Sequence, residues 1–81
     1  MKVEVWKRKL RALGFAGSIE SWSDSFGGDL SVEAVPESRQ LKPVQVIFKQ
    51  DDNRTARELL HDFGSCLQSV FEQCQEQVLN A

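Results

Sequence analysis

By residue type, bond-making chemistry in this chain of 81 residues would fall to one histidine, His61, two cysteines, Cys66 and Cys74, and one pair of adjacent carboxylates, Asp51-Asp52. Any catalytic triad or histidine-dependent metal cluster within one chain would have to use His61, which stands among Glu58 and Asp62. His61 and Cys66 are five residues apart, off the i, i+4 geometry that sets two ligands on one helix face, and no Cys-x-x-Cys is present. A surface histidine is the expectation. Both thiols fall on an apolar stripe, where burial raises the pKa and leaves cysteine a small hydrophobe instead of a nucleophile. Eight residues separate them, roughly 12 Å along a helix axis, whereas a disulfide needs Cα atoms within about 7 Å. Asp51-Asp52 suits negative charge ahead of a helix N-terminus. Gly27-Gly28 reads as a hairpin turn, because it lacks the lysine and helix that follow in a phosphate loop. The residues predict no enzyme, no metal and no cofactor.

Binding chemistry is better represented. Lys7, Arg8 and Arg11 cluster near the start, with Lys2 and Lys9 nearby and Trp6 between them. Such a face suits phosphates or anionic lipid; equally, it suits a solvated surface or pairing with acids elsewhere in the chain. The net charge of −2 hides blocks of +4 over residues 1–17, −5 over 18–37, +3 over 38–50 and −4 over 51–81. That alternation fits complementary packing within the chain or between copies. By overall balance it fits neither a DNA mimic nor a basic nucleic-acid domain.

The elements that must position these residues follow from hydrophobic spacing. Val3, Trp6, Leu10 and Leu13 fall on one helix face, and Gly14 stands where a left-handed helix cap belongs; a short strand alternating through Val3 and Val5 is the rival. Residues 16–29 are rich in turn formers, with Ile19 and Trp22 supporting a weak edge strand near 18–24. Leu30, Val32 and Ala34 alternate toward a core until Pro36, and Val44, Val46 and Phe48 do so in the strongest strand of the chain. Between them, residues 36–43 are bracketed by two prolines and read as a presented loop. Thr55 and Glu58 form a capping-box pattern ahead of a long helix with an apolar stripe through Ala56, Leu60, Phe63, Leu67, Val70, Cys74 and Val78, interrupted by Gly64. At Gly64 either another backbone approaches closely or the helix bends.

The whole predicts one small α+β domain over 1–81: an antiparallel sheet of two good strands and one weak one, covered by an N-terminal and a long C-terminal helix. This α-β-β-β-α order resembles that of double-stranded-RNA-binding domains. The lysine-rich start of their last helix, which meets phosphates, is not matched here: the corresponding stretch is Asp51-Asp52-Asn53-Arg54-Thr55-Ala56-Arg57. No apolar run approaches the roughly 18–20 residues of a membrane span, and the first residues lack a signal-peptide stretch, so a cytoplasmic protein is expected.

The functional expectation is a non-enzymatic regulatory module, of adaptor or inhibitor type, acting through protein contacts. The alternative is an accessory nucleic-acid binder using Lys7, Arg8 and Arg11. A C-terminal helix of roughly 24 residues and about 36 Å overshoots a domain about 30 Å across. Its last turns therefore call for a partner, and a homodimer on Leu67, Val70, Phe71, Cys74 and Val78 is expected. The N-terminal helix packing on the same turns is the competing arrangement.

Overall fold

Periodicity decided the helices correctly. In the computed structural model, which describes residues 1–22, 28–50 and 53–81, α1 runs Val3–Ala12 and α2 runs Ala56–Leu79. The rival strand at the N-terminus does not form, since Trp6 and Leu10 are both fully buried on one face of α1. Gly14 has φ +88°, and its N–H donates to the carbonyl of Arg11, closing the helix as a left-handed cap should. At α2, the Thr55 hydroxyl accepts from the backbone N–H of Glu58 at 3.2 Å, the forward half of the capping box.

Three strands follow α1: β1 (Phe15–Trp22), β2 (Asp29–Pro36) and β3 (Val44–Phe48), antiparallel in the order β1-β2-β3. The architecture is α+β. Leu30, Val32 and Ala34 sit opposite Phe48, Val46 and Val44, so both predicted alternations share a face, and Val32, Ala34 and Val44 join Trp6, Leu10, Phe15, Leu67, Val70 and Cys74 in the core. Among the described residues no helix lies on the other face; Val35 and Ile47 are exposed there, and Ser31 is buried with its hydroxyl accepting from Gln45 Nε2 at 2.9 Å. The Gly27-Gly28 turn and Asp51-Asp52 include residues outside the described ones.

β1 begins three residues earlier than the weak strand expected near 18–24, taking in Phe15-Ala16-Gly17. Gly17 resembles a turn former but serves a different purpose. It faces the core opposite Ala34, and a Cβ added to it would lie 2.7 Å from the Trp6 ring and 2.8 Å from Leu10 Cδ1. The glycine gives α1 the room to lie directly on the sheet. Pro36 ends β2 as expected: it is the last residue of the strand and pairs with Phe15, past the end of the β3 ladder at Ala34.

The long connection between β2 and β3 is exposed over residues 37–40, as a presented loop should be, and is anchored at its far end. Leu41 packs against the core. The Gln77 carboxamide brackets Lys42, accepting from its N–H at 2.7 Å and donating to its carbonyl at 2.9 Å. Two bonds across a separation of 35 residues fix this loop against the end of α2.

Cover over α2 is thin at both ends of the helix, where Leu60 and Leu79 are exposed. Leu67, Val70 and Cys74 have no exposed surface, while Ala56 and Leu60, in the first turns, are exposed, Leu60 at 74%. The cover is α1. Lys9 Nζ stands 5.6 Å from the centre of the Phe71 ring, and a Cβ on Gly64 would come within 3.1 Å of the Met1 backbone nitrogen. The close backbone approach at Gly64 is therefore made by this chain's own first residue.

Candidate functional site

On α1, burial of Trp6 and Leu10 turns the opposite flank outward. Lys7, Arg8 and Arg11 are all exposed, three and four residues apart along that flank, as helical geometry requires of neighbours on one face. Together with Glu4 they overhang the start of β1, where Phe15, Ala16 and Gly17 form the floor of a groove of about 390 Å³. Phe15 is nearly fully buried, so the floor is backbone and small side chains. Three cations face one carboxylate there, which makes the groove a receptor for negative charge beside an open stretch of strand. Lys9 belongs to the seam with α2.

Of the five residues expected to form a dimer interface, Leu67, Val70 and Cys74 are inside the monomer core and beyond a partner's reach in this fold. Phe71 and Val78 are half-buried and also pack against the core. A periodic stripe marks the face of a helix that leaves water, and here α1, the sheet and Leu41 have taken it. A larger groove, about 770 Å³, lies at the thinly covered start of α2 among Met1, Val3, Leu60, Phe63 and Gly64. Its wall is largely apolar, and no charged cluster marks it for one class of occupant.

His61 is exposed on α2, and Asp62 pairs with Arg54. Among the described residues no three His, Cys, Asp or Glu side chains gather to hold a metal ion. Both cysteines are free. Burial pushes the Cys66 thiol up and the Cys74 thiol up to about 11, from an ordinary value of 9.0. No family model, curated protein or solved structure matches this chain.

The raised thiol has a consequence for pH. Cys74 is neutral when buried, and its folded value lies above its unfolded one. The stability it contributes is complete below about pH 9 and is lost as pH rises from there toward about 11. The melting temperature is expected to fall across that window, and to fall less steeply in Cys74→Ala, which removes the thiol's share of the pH dependence. Near neutral pH a disulfide reagent should label Cys66 first and Cys74 only as the domain opens; equal, fast labelling of both would refute the burial.

The basic cluster was visible in the sequence, but its neighbour was not. Nothing local says that Lys7, Arg8 and Arg11 would stand over the first residues of β1, because a turn was expected there. The one available signal was Phe15 directly after Gly14, an apolar residue with no turn role.

Proposed function

We propose that this chain is a non-enzymatic protein-binding module, regulatory in the manner of an adaptor or inhibitor, which receives its partner at the groove between α1 and β1. The observation that carries the reading is the convergence of Lys7, Arg8 and Arg11 over the backbone of Phe15, Ala16 and Gly17. Cationic side chains fixed on a helix, beside a strand and clear of the core, supply charge selection without disturbing the fold. The buried, protonated thiol of Cys74 and a surface histidine favour binding over catalysis. Free cysteines accord with a cytoplasmic setting. Of the five residues expected at a homodimer interface, only Phe71 and Val78 keep partial exposure, so the proposal moves the partner contact to α1 and β1.

The test is the triple variant Lys7→Glu, Arg8→Glu, Arg11→Glu. Exposed charges are each worth up to about 1 kcal/mol, so its melting temperature should shift by only a few degrees. In nuclease-treated lysate of the source, the wild-type chain should retain a protein that the triple variant loses. A variant that fails to fold would make the basic flank a packing element and overturn the proposal. The second reading, nucleic-acid binding, draws on the same three residues and on Arg57, exposed in the first turn of α2. Salt-sensitive retention on heparin with shifts of generic RNA or DNA, and no protein retained, would favour it.

A further inference from the structure

We propose that the occupant of the α1–β1 groove is an extended acidic segment of a partner protein, added as a fourth strand along the outer edge of β1; this rests on the protein-binding reading above. β1 is an edge strand of the three-stranded sheet, and its register shows which backbone groups face outward. The N–H of Glu37 donates to the carbonyl of Gly14 at 2.9 Å, which makes Gly14 and Glu37 a hydrogen-bonded pair one step beyond Phe15 and Pro36. In an antiparallel ladder such pairs recur at every second residue. Ala16, Ser18 and Glu20 therefore bond to Val35, Glu33 and Ser31 of β2, and the backbone N–H and C=O of Phe15, Gly17, Ile19 and Ser21 point away from the sheet. Pro36 agrees with this phase, since its missing N–H falls on the side away from β1.

Natural edges are shortened, bulged or guarded by proline and charge. β3, the other edge, has five residues and follows Pro43. β1 has eight residues without proline, and its one charged residue, Glu20, stands on the face away from the core, opposite Ser31. Where an added strand passes Phe15–Gly17, its alternate side chains would point toward Lys7, Arg8 and Arg11. Asp or Glu at those alternate positions completes the groove, with small or β-branched residues between them. A second copy of β1 is the poorer occupant: pairing β1 with itself would set two basic helix flanks over one continuous sheet.

The probe is a synthetic octapeptide with Glu at alternate positions and Val or Thr between, set against two controls. One control has N-methylated residues at the alternate amides, and the other is oligoglutamate of equal charge. Amide hydrogen exchange of the full chain, read by NMR, is the measurement. With saturating peptide the N–H groups of Gly17, Ile19 and Ser21 should exchange about tenfold more slowly or less, while Ala16 and Ser18, already bonded to β2, hardly change. N-methylation should abolish that protection, and the triple Glu variant should bind the peptide about tenfold more weakly. Binding without protection at those amides, or equal binding of oligoglutamate, would overturn strand addition while leaving the groove as a protein-binding site. If the lysate partner is retained equally by the wild type and the triple variant, the protein-binding reading of the groove fails as well. Protection that grows with protein concentration in the absence of peptide would make a second copy the occupant and overturn the acidic segment.

Discussion

Gly17→Val is expected to unfold this domain. The reason is space and not backbone conformation: among the described residues only Gly14 has a positive φ, whereas a Cβ at Gly17 would sit 2.7 and 2.9 Å from two atoms of the Trp6 ring and 2.8 Å from Leu10 Cδ1. Trp6 and Leu10 are fully buried, so neither can swing into solvent without giving up its cover. Gly17→Ala should cost about 1–3 kcal/mol by overpacking, offset in part by the ~0.4–1 kcal/mol that alanine gains through a stiffer unfolded chain. Valine adds two further methyl groups to the same gap, and a domain of this size has only about 5 kcal/mol in total. Gly14→Ala is the internal comparison. Its Cβ would meet nothing within 4 Å, but φ is +88°, so the expected loss is that of left-handed strain, about 1–2 kcal/mol. Circular dichroism melts of the three variants should rank Gly14→Ala above Gly17→Val. A folded Gly17→Val with an unchanged melting temperature would mean that α1 does not rest on β1 through Trp6.

The second large effect separates a core from an interface. Leu67 has no exposed surface and lies amid the core between α1 and the sheet. Leu67→Ala should cost about 2–5 kcal/mol, the range for emptying a well-packed leucine site. If that leucine serves the monomer, the loss is the same at every protein concentration. If a second copy covered the helix, stability would rise with concentration by mass action, and the variant would erase that dependence. Thermal melts across a wide concentration range, with mass by light scattering, read both quantities. Phe71→Glu gives the complementary arm: its ring is half-buried beside Lys9, so a folded but less stable monomer is expected. A melting temperature that climbs with concentration in the wild type and stops climbing in Phe71→Glu would restore the helix-based dimer.

The candidate site was half legible. Lys7, Arg8 and Arg11 announce themselves by charge and by helical spacing, and that flank is where the structure has them. What lies next to them depended on reading Ala16-Gly17-Ser18, three residues of turn-forming type that stand in a strand. Propensity lost there because tertiary contact outweighed it: an indole needed the volume that any other residue would fill. The bracket between Gln77 and Lys42 had no local signal at all, since its two ends are 35 residues apart and neither type is distinctive.

Local physics alone determined the elements. Helix limits follow from spacing that repeats every three or four residues and from two caps, Gly14 and Thr55. The faces of β2 and β3 follow from strict alternation, which leaves Leu30, Val32 and Ala34 no choice of side once Val44, Val46 and Phe48 stand opposite. Periodicity tells which face of an element leaves water, but it does not tell what does the covering. The stripe on α2 was equally suited to a second copy and to α1. Only the tertiary structure decided for α1, because Gly17 lets that helix lie close on the sheet and Gly64 lets its leading residue lie close on α2. The same packing turned the basic flank toward the free edge of β1, a juxtaposition that no stretch of sequence contains.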